Sequence, residues 1–250
     1  MTKAKSKWFS QRVQMETQMV RWGHMGRPVL IFPTAGGDAE EIERMLMIRM
    51  LEPLITEGRI KVYSVDSLAA QSWGDRSKMP RYCTWLMNQF DGYIYNEVIP
   101  AIRADCKQPD IEVVVAGASI GAFNALASIC RHPDVFKQAI CLSGSYDVAR
   151  FIKGADGQPL RELDKDYYHS SPVHFLRNLG ESEQLSQLRK RFVLFAHGGG
   201  RWEDPNQDWK MAQLLGGKGV PNRVDPWGPE WDHDWPTWRK MLPGYLAEVE

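Results

Sequence analysis

The spacing of apolar positions along the chain changes period repeatedly, and each change marks an element. In "RVQMETQMVRWG" polar and apolar residues alternate, which is the two-residue period of a half-buried strand, and the stretch is expected as an antiparallel edge strand. "PVLIFP" is a short continuous apolar run of the kind buried on both faces of a sheet. "DAEEIERMLMIRML" carries helical spacing with acids in its first turn, "RIKVYSVD" returns to strand, and "RYCTWLMNQFDGYIYNEVIPAIRADC" reads as one long helix. Strand "IEVVVAG", helix "IGAFNALASICRHP" and strand "FKQAICLSG" follow, and later strand "RFVLFAHG", helix "PNQDWKMAQLLGGKG", strand "PNRVDPWG" and a last helix near "WPTWRKMLPGYL". Residues 148–187, rich in Gly, Asp, Tyr and His, show neither period and are expected as an irregular, cap-like insertion. Strands that alternate with helices need crossover connections. The pattern therefore predicts an α/β fold with a mostly parallel central sheet, helices on both faces, and reactive groups at the carboxyl ends of the strands.

Composition narrows the partners. A chain of 250 residues with 43% hydrophobic content is long enough for a single α/β domain over residues 1–250. Lys plus Arg equal Asp plus Glu at 31 each, so no global field favours nucleic acid or an anionic membrane surface. The basic start "MTKAKSKWFSQRVQMETQMV" lacks the apolar core of a signal peptide, and no run is long enough to cross a bilayer, so a soluble, cytoplasmic protein is expected. Cys83, Cys106, Cys130 and Cys141 have no zinc-like or CxxC spacing and read as ordinary thiols of a reducing compartment. Monomer and homo-oligomer both stay open.

The candidate chemistry begins where "VVVAGASIGAFNAL" passes from strand to helix. Gly117, Ser119 and Gly121 fit G-x-S-x-G, a sharp turn that holds a serine in strained backbone with its oxygen exposed. A chain with 21 glycines meets this pattern by chance roughly one time in ten, so the setting decides: the match falls where a strand ends and a helix starts. The competing reading is a tight turn with a helix-capping serine.

A nucleophilic serine needs a histidine oriented by a carboxylate, and after this turn the expected chain order is Ser, acid, His. His233 in "GPEWDHDWPTW" lies on a loop between the last strand and the last helix, where such a base belongs. The loop after "RFVLFAHG" offers Glu203 as first acid and Asp204 as second, with Asp147 in "SGSYD" as a third. Asp204 is equally explained as a helix N-terminal acid. Donors for a developing oxyanion are expected from the Ile120 amide and from "TAGGD", through Ala35 or Thr34. TAGGD lacks the spacing of a phosphate-cradling loop.

The set "VLIFPTAGGD", "YSVDSLAAQSW", "GASIGAFNAL", "LSGSYDVARF", "GRWEDP" and "WGPEWDHDWPTWRKMLPGYL" resembles the esterase family of the α/β-hydrolase superfamily, in the esterase D and mycolyltransferase-like group. The likeness spans most of the chain and implies the α/β-hydrolase fold. It places the family's nucleophile on Ser119, its histidine on His233 and its acid on Glu203. At Ile120 the chain departs from relatives that carry Phe or Met, a change that keeps the backbone donor and alters the acyl side. The resemblance implies hydrolysis of a small-molecule carboxylic ester through an acyl-serine, without a cofactor.

Trp73, which follows a strand end, is the expected substrate-pocket residue, whereas Trp227, Trp231, Trp235 and Trp238 are expected chiefly to pack the last helix and its loop. Rival readings are acyl transfer to an alcohol, sugar or thiol, thioester hydrolysis, and a non-catalytic binding scaffold on the same frame. A metal site in "EWDHD" is not expected, because no second histidine stands at ligand spacing.

Overall fold

A computed structural model describes residues 1–69, 72, 78–147 and 165–249 of the chain. Its strands are β1 (Lys3–Ser10), β2 (Met15–Trp22), β3 (Arg27–Phe32), β4 (Ile60–Val65), β5 (Val113–Ala118), β6 (Phe136–Leu142), β7 (Phe192–His197) and β8 (Asn222–Pro226). They form one sheet in the order β1-β2-β4-β3-β5-β6-β7-β8. β1–β2 and β2–β4 pair antiparallel, and every later pair is parallel. This is the mostly parallel sheet that the alternation predicts, in keeping with the α/β-hydrolase fold that the resemblance implies.

The edge differs from the sequence reading. β2, the alternating stretch, is paired on both sides, and the lysine-rich β1 forms the rim. Most of β1 is exposed, so it carries no apolar face for periodicity to find. It is held by backbone pairing and by Lys3 on Glu40 and Glu43 and Lys5 on Glu40. Lysines along an outer strand also discourage edge-to-edge pairing with other chains.

The helices depart from the sequence reading in three places. "DAEEIERMLMIRML" folds as α1 (Glu41–Arg44) and α2 (Met47–Thr56), separated by Leu46 with φ of 63°. The long helical stretch is α3 (Pro80–Tyr93), a π-helical turn over Ile94–Val98, and α4 (Ile99–Cys106). After α5 (Ile120–Arg131) and β6, the later part of the stretch expected as irregular holds α6 (Lys165–Ser170), α7 (Pro172–Asn178) and α8 (Glu183–Leu188). Helices of six or seven residues are too short to display a period. The rest of that stretch, 148–164, lies outside the described residues. α9 (Pro205–Gly216) and α10 (Trp235–Ala247) complete the set.

Both faces of the sheet are covered. Val113 and Val115 of β5 join a core with Tyr63, Phe90, Phe123 and Phe136, while Val114 and Ala116 join another with Trp22, Leu51, Trp238 and Leu242. Each such side chain contributes about 1.5–3 kcal/mol on burial, which is why β5 reads as an unbroken apolar run. Among the described residues no helix is long and apolar enough to cross a membrane, and none of the cysteines is in a disulfide.

At the opposite end of the sheet from the carboxyl termini, Lys61 of β4 is 3% exposed and meets Asp105 of α4 at 2.6 Å. Asp105 also accepts from the Tyr63 hydroxyl at 2.6 Å and from Arg21 at 3.1 Å. Burial pushes the Asp105 pKa up, and the bonds from Lys61 and Tyr63 outweigh it, so the net shift is downward. Asp105→Ala leaves the buried ammonium with only the backbone carbonyl of residue 105 and is expected to destabilise the protein by about 2 kcal/mol at neutral pH, below the roughly 3–5 kcal/mol of fully buried pairs because Asp105 is partly exposed. Urea unfolding checks the value.

Candidate active site

The end of β5 and the start of α5 meet with almost nothing between helix and sheet. A Cβ on Gly121 would lie 2.5 Å from the Phe32 carbonyl oxygen, and one on Gly117 would overlap the Gly121 backbone. Ser119, between them, has φ of 57° and ψ of −119°, a conformation that costs a non-glycine residue on the order of 1–3 kcal/mol. It stands at the N-cap position of α5 but makes no capping hydrogen bond, so the helix-cap reading does not describe its side chain. Its N–H donates to Leu142 O of β6 at 2.9 Å, which fixes the turn to the neighbouring strand.

The expected donors sort by what already engages them. Ile120 opens α5, where first-turn N–H groups have no partner inside the helix. In the loop after β3, the Thr34 N–H donates to Glu41 Oε2 at 2.7 Å and its hydroxyl to Glu41 Oε1 at 2.6 Å. No hydrogen bond among the described residues engages the exposed Ala35 N–H. Of the two alternatives left by the sequence, Thr34 is committed to bracing the loop and Ala35 is available. Sequence reading missed Glu41, whose place in an acidic first turn gave no sign of a backward reach.

His233 and Glu203 come together. Glu203 Oε2 lies 3.5 Å from His233 Nδ1, with the carboxylate side chain 1% exposed and the imidazole 21%. Glu203 Oε1 accepts from the Ser143 hydroxyl at 2.6 Å and from the Gly198 N–H at 3.2 Å, while Oε2 is buried with no hydrogen bond among the described residues. Ser143 follows β6 directly, with φ of 49°, and its N–H donates to Ala196 O of β7 at 2.7 Å. Ser119 and His233 share no direct hydrogen bond among the described residues. The tie runs from Ser119 to Leu142, and from the adjoining Ser143 to Glu203 and His233, so all three lie at the carboxyl end of the sheet. Contacts between a serine and its base are commonly long before substrate binds.

Two loops hold Glu203 and His233 in register. Gly200 N–H donates to Trp231 O at 2.9 Å, His233 N–H to Arg201 O at 3.0 Å, and the Arg201 backbone and guanidinium bind the Asp232 carboxylate at 2.7–3.0 Å. A Cβ on Gly198 would overlap Trp231 O, which is the steric reason for the glycine-rich lead-in. Trp202 turns outward with φ of 64° and is 81% exposed, so Glu203 turns in.

The other acids are occupied differently. Asp204 stands at the N-cap position of α9 and accepts from the Gln207 amide at 3.1 Å; Asp147 accepts from the Tyr167 hydroxyl at 3.5 Å. Trp73 lies outside the described residues. Trp235 and Trp238 are buried and packed edge-to-face at 5.4 Å, and Trp227 contacts Trp231 at 5.1 Å and donates to the Tyr245 hydroxyl at 2.9 Å. Trp227 and Trp235 pack as the sequence favours, while the Trp238 Nε1–H also donates to Ser143 Oγ at 2.9 Å.

A second histidine–carboxylate pair lies underneath. His197, ending β7, has Nδ1 2.8 Å from Asp208 Oδ2, and the Tyr146 hydroxyl donates to Asp208 Oδ1 at 3.0 Å. Both members are almost fully buried, which denies His197 contact with substrate. His197 is the last residue of the strand read from "RFVLFAHG", and its pairing with Asp208 was not legible there because it depends on how α9 docks. Burial raises the Asp208 pKa to about 6, against the opposing hydrogen bonds from His197 and Tyr146, and the Glu203 charge adds to the rise.

Comparison with known proteins agrees with this frame. The sequence model of the esterase family, described as "Putative esterase", matches residues 71–249. No curated protein matches the chain by sequence. Among solved structures, a ferulic acid esterase superposes with a TM-score of 0.75 at 15% identity, covering 98% of this chain and 96% of its own. An S-formylglutathione hydrolase from Agrobacterium tumefaciens gives 0.69 at 12% identity, covering 98% and 93%. A fluorophosphonate-binding serine hydrolase from Staphylococcus aureus gives 0.67 at 13% identity, covering 98% and 97%. At such identities the superpositions establish the fold.

The raised Asp208 pKa sets a pH dependence with a definite sign. Between the ordinary aspartate value of 3.8 and about 6 the native state binds a proton that the unfolded chain has released, so this group's contribution to stability falls as pH rises. Asp208→Asn lacks that titration. Its stability relative to the parent is expected to climb from pH 4 to pH 6, by at most about 1.4 kcal/mol per unit. Urea midpoints at pH 4, 5 and 6 measure the trend, and a flat difference would contradict it.

Proposed function

The chain belongs to the esterase family, and we propose that it hydrolyses a small-molecule carboxylic ester through an acyl-serine on Ser119, with His233 as base and Glu203 as the acid that orients it. The observation that carries the reading is the buried Glu203 carboxylate, with one oxygen held by Ser143 and Gly198 and the other facing His233 Nδ1. A carboxylate there fixes the imidazole tautomer with its proton on Nδ1 and leaves Nε2 to receive the serine proton.

In the first half-reaction Ser119 Oγ attacks the ester carbonyl carbon while His233 Nε2 takes its proton. The electron pair moves onto the carbonyl oxygen, which receives the Ile120 and Ala35 amides. These donors act in the transition state, and removing one of this kind costs on the order of 10²–10³ in kcat. Collapse expels the alkoxide, to which His233 returns the proton. In the second half-reaction a water gives its proton to His233 and its oxygen to the acyl carbon, and the bond to Ser119 Oγ then breaks as His233 returns that proton to it, which releases the carboxylic acid and restores the serine. Glu203 keeps its charge throughout and stabilises the imidazolium in both halves.

Support for Ser119 comes from its strained backbone and absent cap bond, since glycine would make a turn with φ of 57° at less cost and a serine kept there needs a use for its hydroxyl. Ile120, 6% exposed, keeps its donor whatever its side chain, so the departure from bulkier residues bears on the acyl group accepted. The acyl and alcohol preferences are read by varying each side of a p-nitrophenyl or alkyl ester in turn.

Ser119→Ala is expected to abolish both p-nitrophenyl acetate hydrolysis and labelling by a fluorophosphonate. Labelling that persists in this variant would reject Ser119 as nucleophile. Glu203→Gln is expected to lower kcat by about 10³–10⁴ while the fold is retained, and Asp204→Asn to change it less than about threefold. The reverse ranking of the two acids would move the assignment to Asp204.

A further inference from the structure

Behind Glu203 stand two side chains, Ser143 and Trp238, whose arrangement goes beyond packing. The Trp238 Nε1–H donates to Ser143 Oγ at 2.9 Å, and Ser143 Oγ donates to Glu203 Oε1 at 2.6 Å. An indole can only donate and an ionised carboxylate can only accept, so the hydroxyl between them has one available orientation, with its proton on the Glu203 side. The same indole meets the His233 ring edge-to-face, with centroids 5.2 Å apart. One buried tryptophan thus touches the base directly and reaches the acid through one hydroxyl.

The backbone at Ser143 points the same way. Its φ of 49° lies in the left-handed region, where glycine is the unstrained residue, and glycine already follows at position 144. A serine kept in such a place carries a cost in conformation that its hydroxyl must offset. The Leu142–Ser143 corner also ties neighbouring segments together: Leu142 O receives the Ser119 N–H, the Ser143 N–H binds Ala196 O of β7, and the Ser143 side chain binds Glu203 in the loop beyond β7.

From these contacts we infer that Trp238 and Ser143 form a positioning relay, which commits Glu203 Oε1 to structural donors and leaves Oε2 for His233. The inference rests on the proposed roles of Glu203 and His233. Neither relay residue touches substrate. Their effect is on the alignment of the imidazole, so it falls on kcat rather than KM, and the two residues act in series.

The test uses Ser143→Gly, Trp238→Phe and the double variant. Glycine removes the hydroxyl while relaxing the backbone, and phenylalanine keeps an aromatic ring against His233 while removing the N–H. S143G is expected to unfold at or above the parental temperature, with kcat for p-nitrophenyl acetate lower by about 10–100-fold and KM within about twofold. W238F is expected to lower kcat by about 3–10-fold, and the double variant to match S143G within about twofold, because the N–H reaches Glu203 only through the hydroxyl. The downfield proton resonance of the His233–Glu203 pair should broaden or shift in both single variants. An S143G kcat within twofold of the parent, or single effects that multiply in the double variant, overturns the relay. If S143G fails to fold, W238F decides alone: a kcat loss with unchanged KM and an altered downfield resonance supports the relay, and parental values for both refute it. Retention of full activity by Glu203→Gln would instead remove the triad assignment on which the relay rests, which separates the two failures.

Discussion

The site depends on how closely α5 seats against β3 and β5. Gly121 brings the helix backbone to the Phe32 and Pro33 carbonyls with no side chain between, and Gly117 clears the turn beneath it. With both contacts made, the chain has little room to pass from strand to helix, and Ser119 takes the strained conformation that lies on that path. The energy of the strained residue is small beside the apolar burial of β5 and α5, which lie almost wholly in the two cores. The scaffold over-determines the turn. Strain of this kind persists where surrounding structure leaves no relaxed alternative.

Around that turn, the parallel sheet gathers groups distant in sequence. Ser119 follows β5, Ser143 follows β6, Glu203 lies shortly after β7 and His233 between β8 and α10. Each parallel strand delivers its carboxyl end to the same side, so four loops converge without any long excursion of the chain. Polar groups in this crowded rim are satisfied mutually: Leu142 by Ser119, Ala196 by Ser143, Glu203 Oε1 by Ser143 and Gly198, and Trp231 by Gly200. A buried carboxylate is tolerable there because its charge faces donors on one oxygen and an imidazole on the other.

Much of this was legible in the sequence, for identifiable reasons. Strands β3, β5 and β7 are nearly continuous apolar runs, and the Gly117–Gly121 turn is a local pattern whose strand-to-helix context can be read within a dozen residues. His233 and Glu203 were reachable through chain order and the family resemblance, and the structure pairs them while leaving Asp204 at a helix N-terminus. What sequence did not show depends on partners far along the chain. β1 has no apolar face, so only its pairing with β2 reveals it. The break at Leu46 needs a left-handed residue where sequence offers no glycine. Ser143, Glu41 and Asp208 are ordinary polar residues until the sheet and helices set them beside Glu203, Thr34 and His197.

The interlock between the loops carrying Glu203 and His233 has a dynamic consequence. Backbone bonds from Gly200 to Trp231 and from His233 to Arg201, reinforced by the Arg201–Asp232 ion pair, couple the two segments, so that a displacement of one loop carries the other with it. Ser119 is seated separately, in the turn that Gly121 packs against β3. A shift of the coupled loops therefore alters the spacing of Glu203 and His233 less than the spacing of either from Ser119.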